Sequence, residues 1–80
     1  MEIIFERLPA TLKTRARGKS AHYEDIRKGL FVPPVALGKR ARGTPRHETE
    51  AINAAVLAGK SEDEIRALVR QLIAQRKVGS

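Results

Sequence analysis

Ten side chains between Arg15 and Arg42 are of types that bind a polyanion. They are Arg15, Arg17, Lys19, Ser20, His22, Arg27, Lys28, Lys39, Arg40 and Arg42. Duplex affinity rests largely on neutralising phosphates and releasing their counterions, which is work for Lys and Arg. Arg15, Arg17 and Lys19 fall where a turn would lead into a helix, and they are expected to contact phosphates. Ser20 at that helix start adds a hydroxyl where backbone N–H groups already favour an anion. Lys28 is expected to reach a guanine edge or a phosphate, with Arg27 on the flank of the same helix. His22 has two readings, as a donor to phosphate or as a half-buried neighbour of the core. Lys39, Arg40 and Arg42 suit the narrow, negative minor groove. Glu24 and Asp25 either accept from cytosine N4 or pair with nearby bases, Glu24 with Lys28 at i, i+4.

The same inventory points away from catalysis. The chain has no cysteine and two histidines, His22 and His47, neither in a metal-ligand spacing such as His-Glu-x-x-His. No glycine-rich phosphate loop follows a strand. No catalytic residue, metal site or cofactor is expected, and no small-molecule substrate.

The charge is uneven. Of a net +7, residues 1–6 hold two acids and no base, residues 7–46 hold eleven bases against two acids, and residues 47–80 hold five of each. A localised excess marks a polyanion partner. With 80 residues the chain makes one domain, 1–80, whose modest core must be aliphatic, since there are two Phe, one Tyr and no Trp. No apolar run reaches the ~20 residues of a membrane helix, and no secretory signal opens the chain. It is expected in the cytoplasm, drawn to the nucleoid by DNA binding, with no membrane partner.

Elements must hold these side chains in place. Residues 2–6 have strand chemistry and need the hairpin at 35–43 as partner. Residues 7–13 read as a helix with Pro9 in its first turn. Residues 15–19 form a basic turn. A second helix is capped by Ser20 and closed by Gly29, with Tyr23, Ile26 and Leu30 on its core face. That spacing leaves Ala21, Glu24, Asp25 and Lys28 facing outward. Phe31 is a core plug. Val35 and Leu37 alternate in a strand, and Gly38 to Gly43 supply the basic loop and return. Thr44 and Pro45 start a third helix, as cap and first residue, with Glu48 and Glu50 in its early turns. Ser61 to Glu64 is a capping box for a last helix with the stripe Ile65, Leu68, Val69, Leu72 and Ile73. That stripe packs on the third helix or meets a second copy. The expected fold is α+β and mainly helical: a winged helix-turn-helix over residues 7–45, with a small β-hairpin wing, and two C-terminal helices forming a hairpin over 45–77.

Three stretches resemble the AlpA family of phage and prophage regulators. They are Arg7-Leu8-Pro9, then Ser20-Ala21-His22-Tyr23-Glu24-Asp25-Ile26-Arg27-Lys28-Gly29-Leu30-Phe31, then Pro34-Val35-Ala36-Leu37-Gly38-Lys39-Arg40-Ala41. The tail, through Ala51-Ile52-Asn53 and Asp63-Glu64-Ile65-Arg66, is similar to a common variant of that family. The resemblance covers roughly Arg7 to Gln75 and implies an excisionase-like, MerR-like winged helix-turn-helix. It implies specific double-stranded DNA binding near mobile-element genes, as a transcriptional regulator or an excisionase (a recombination directionality factor). Self-association of copies on DNA is left open by the last-helix stripe and is no part of the resemblance. One departure is that the family often carries a tryptophan after the wing glycine, where this chain has Thr44 after Gly43. The alternative from the residues alone is a small basic RNA-binding or protein-interaction module. Single-stranded readers stack bases on exposed aromatics, whereas Phe5, Tyr23 and Phe31 are expected in the core.

Overall fold

The computed structural model describes residues 2–78. Four helices and a three-stranded antiparallel sheet follow the order β1 (Phe5–Glu6), α1 (Leu8–Arg15), α2 (Lys19–Arg27), β2 (Val35–Ala36), β3 (Arg42–Pro45), α3 (Arg46–Leu57) and α4 (Glu62–Val78). The fold is a small, mainly helical α+β one. None of the helices among the described residues is long and apolar enough to cross a membrane.

The sheet has the order β1-β3-β2. Phe5 pairs with Pro45 and Glu6 with Thr44 on one side of β3; Val35 pairs with Gly43 and Ala36 with Arg42 on the other. The N-terminal strand therefore docks on the return strand of the hairpin, as its composition led one to expect. Gly43 sits in the middle of this meeting. A Cβ there would lie 2.8 Å from Leu37 Cδ1 and 3.2 Å from Phe5 Cβ, so a side chain would have to displace Leu37 and push β1 outward.

Two helix starts differ from expectation. Thr44 is taken up by β3, and Pro45, not Thr44, caps α3, which begins at Arg46. Pairing with Glu6 holds Thr44 extended, so the strand runs straight into the helix. At α2, Gly18 is the cap and Lys19 the first helical residue; Ser20 lies inside the first turn and caps nothing. α1 runs on to Arg15, because Ala16 takes the left-handed conformation (φ 55°) that ends it. Gly29 (φ 76°) and Gly59 (φ 75°) close α2 and α3 as read from the sequence. So does the capping box, where the Glu64 N–H donates to Ser61 Oγ and the Ser61 N–H to Glu64 Oε1.

The core is small. Phe31, Val32, Ile52, Val69 and Leu72 are the buried apolar side chains among the described residues, with Ile26, Ala51, Ile65, Leu68 and Ile73 packed against them. The α4 stripe thus packs into its own chain, on α3 and on the Phe31–Val32 plug. Five such side chains are worth on the order of 10 kcal/mol gross, too little to fill the interior alone. Ion pairs complete it. Glu48, expected merely to complement the α3 dipole, is 1 % exposed and receives Arg76 Nε at 3.0 Å and Nη2 at 2.6 Å. Arg76 also donates to the carbonyl of Pro33, tying α3, α4 and the loop after α2 together.

Candidate nucleic-acid interface

The turn between α1 and α2 decides where the basic run points. With Ala16 left-handed, the Ala16 N–H donates to the Lys13 carbonyl and the Arg17 N–H to that of Leu12. Arg15 is thereby directed inward beneath α2. Its guanidinium lies 4.0 Å from the Phe31 ring centroid, donates from Nη2 to Asp25 Oδ2 at 2.9 Å, and meets His22 Nδ1 at 2.9 Å. Arg17 reaches the same carboxylate from the solvent side with a two-pronged grip, Nη2 to Oδ1 at 2.8 Å and Nε to Oδ2 at 3.0 Å. Asp25 is therefore a buried keystone and no reader of bases.

The chemistry of this knot is constrained. A guanidinium can only donate, so His22 Nδ1 must accept and the ring carries its proton on Nε2. Burial pushes the His22 pKa down, and the Arg15 charge pushes the same way, against Asp25. Burial also lowers the Arg15 pKa, opposed by its bond to Asp25. For Asp25, burial raises the pKa, but the hydrogen bonds and charges of Arg17 and Arg15 outweigh it, and the carboxyl ends below its ordinary value.

This arrangement corrects the expected phosphate contact of Arg15 and decides between the two readings of His22, which lies beside the core and not at a phosphate. The Arg15 side chain is 7 % exposed and His22 is 2 % exposed, so neither reaches a ligand on the surface. Arg15 instead holds Asp25 and covers Phe31, and His22 bonds Arg15 and packs on the Phe31 ring, with centroids 5.0 Å apart. The buried face of α2 is correspondingly His22, Asp25 and, in part, Ile26. Tyr23, expected in the core, is 49 % exposed. The helix is rotated by close to one residue step, about 100°, from the orientation that apolar spacing implies.

The face of α2 turned to solvent carries Lys19, Ser20, Tyr23, Arg27 and Lys28. Glu24 sits among them, hydrogen-bonded to Arg27 and 3.7 Å from Lys28. The Arg27 hydrogen bond holds its carboxyl below the ordinary range. Glu24 therefore pairs with its neighbours, one of the two readings open from the sequence. Tyr23 is the side chain that sequence reasoning missed. Its signal lay in the polar partners: two arginines just upstream supply the cations that let Asp25, and with it His22, take the inward positions.

Across a seam from this face lies the β2–β3 hairpin. The Leu37 N–H donates to the Ala41 carbonyl, leaving Gly38, Lys39 and Arg40 as the tip. Lys39, Arg40 and Arg42 are exposed. Tyr23 and Ile26 of α2 and Arg42, Gly43 and Thr44 of β3 line one crevice of about 70 Å³, so the exposed helix face and the return strand border each other. Among the described residues, Arg7, Lys13, Lys19, Lys39, Arg40 and Arg42 make no ion pair, while the acids of α4 are matched to Lys60 and Arg66. Uncompensated positive charge thus lies on α1, the α2 start and the hairpin, and also at Arg70 of α4. Of the ten side chains singled out, Arg17, Lys19, Ser20, Arg27, Lys28, Lys39, Arg40 and Arg42 remain available at the surface.

No group of three or more His, Asp or Glu side chains gathers as metal ligands among the described residues. A larger groove of about 380 Å³ opens behind the α1–α2 turn, where Arg17 and Asp25 meet Leu30, Ile52, Val56 and Ile65. Searches of protein-family models, of curated proteins and of solved structures find no match to this chain.

Proposed function

We propose that the chain is a sequence-specific double-stranded DNA-binding protein with a winged helix-turn-helix, α2 being its recognition helix and the β2–β3 hairpin its wing. The observation that carries the reading is the seam. Tyr23 on the exposed face of α2 and Arg42 on the hairpin line the same crevice. Lys19 at the start of α2 and Lys39, Arg40 and Arg42 on the hairpin lack acidic partners among the described residues, while Arg27 and Lys28 share Glu24. One helix and one ribbon side by side suit the major groove and the adjoining minor groove of one duplex. Arg17, Lys19, Lys28, Lys39, Arg40 and Arg42 would neutralise phosphates or enter the minor groove. The resemblance to AlpA-family regulators supports a role as a phage or prophage transcriptional regulator or an excisionase.

The test is a salt titration of binding to duplex and single-stranded probes. About six phosphate contacts give a log–log slope near −5 on duplex. Equal affinity for single strands would defeat the reading. RNA binding is the second reading, and one observation favours it: Tyr23 and Phe5 are 49 % and 43 % exposed, so the aromatics are less committed to the core than their sequence positions imply.

A further inference from the structure

We infer that Tyr23 is a specificity-determining side chain that reads the C5-methyl group of thymine in the major groove. The inference rests on the duplex-binding reading above. Tyr23 stands on the exposed arc of α2 among Ser20, Glu24 and Arg27, the one large apolar surface in a polar and charged neighbourhood. Phosphates are bound by cations and hydroxyls and gain little from an aromatic ring. Base edges in the major groove present donors, acceptors and a single apolar group, the thymine methyl. The ring is held at its base by the edge of His22, with centroids 5.7 Å apart, and His22 is itself locked by Arg15. The phenol oxygen has no hydrogen-bond partner among the described residues. Beside the ring, the crevice shared with Arg42 and Gly43 has about 70 Å³ of space, enough to admit a methyl group.

Arg27 does not fill this role. Its guanidinium is engaged by Glu24 through Nε and Nη2, so it approaches a base edge already partnered. Tyr23 packs on His22 at one edge but has no ion pair or hydrogen bond to break among the described residues.

The experiment starts from duplexes selected out of a random-sequence pool with the full chain. Each thymine in the selected site is then replaced singly by deoxyuridine, which deletes only the methyl group. Binding is measured for the natural chain, Tyr23→Phe and Tyr23→Ala, each checked for an unchanged melting temperature. At one or two positions, deletion of the methyl weakens the natural chain and Tyr23→Phe by about fourfold and leaves Tyr23→Ala unaffected. A duplex that binds tightly but shows no thymine whose methyl effect depends on Tyr23 overturns the inference and leaves the duplex reading standing. So does an equal loss for Tyr23→Ala on the matching single strand, which would assign the ring to base stacking. Failure to select any duplex overturns both.

Discussion

Replacing Asp25 with asparagine keeps the shape of the side chain and removes the charge that Arg15 and Arg17 share. The two arms of the knot differ in worth. Arg15 and Asp25 are 7 % and 9 % exposed at their side chains, and stripping one partner from a pair so buried costs about 3–5 kcal/mol. Arg17 is 44 % exposed, so its arm is screened by water and adds no more than about 1 kcal/mol. Asparagine retains one acceptor for the guanidinium, which places the expected loss near the lower end, about 3 kcal/mol. A chain of 80 residues is stable by about 4–12 kcal/mol in all. The variant should therefore lose a large share of its stability and melt about 12–24 °C lower. Urea unfolding followed by far-ultraviolet circular dichroism measures the difference. Arg15→Met should cost less than Asp25→Asn, because Asp25 keeps the two-pronged grip of Arg17. A loss below about 1 kcal/mol for Asp25→Asn, the range of exposed pairs, would refute the assignment of Asp25 as a buried keystone. So would the reverse order of the two variants.

The pH dependence has a definite sign. His22 is held below its ordinary value of 6.5, so the unfolded chain takes up protons first, and stability present above pH 6.5 falls as pH drops below it. Asp25 lies below 3.8 by the same logic, and its contribution holds down to that pH and is lost beneath it. His22→Gln should remove the first step in a pH series of urea melts and leave the second. Replacing Lys39 and Arg40 together with alanine should weaken duplex binding and flatten the salt slope by about 2, with no change in melting temperature; unaltered affinity would remove the hairpin from the interface. Gly43→Ala should destabilise by about 1–2 kcal/mol, since Leu37 can swing aside but Phe5 Cβ and the Glu6 carbonyl move only with their strand. Ala16→Gly should raise stability by about 1 kcal/mol by relieving a left-handed alanine, read from the same melts.

Local chemistry was legible in the residues themselves. Gly29 and Gly59 end helices because a left-handed residue without a Cβ costs nothing there, and Ser61 with Glu64 starts one because each satisfies the other's backbone N–H. The α4 stripe followed from apolar periodicity, the Phe31 plug from a large aromatic side chain at the Pro-Pro break, and the third strand from the need of a two-stranded ribbon for support. Each of these depends on near neighbours in the chain or on one kind of side chain.

The facing of α2 was settled only in three dimensions. Periodicity ranks positions by apolarity, so it turned Tyr23 inward and Asp25 outward. In the folded chain the inward positions belong to His22 and Asp25, because Arg15 and Arg17, ten and eight residues away, cancel a charge that no local pattern shows as cancelled. Glu48 and Arg76, 28 residues apart, meet in the same way. A chain this short has few large apolar side chains, and it closes its interior with charges whose burial is tolerable only once distant partners arrive. Where those partners stand is a property of the packed helices, and it determines which face of α2 is left for a ligand.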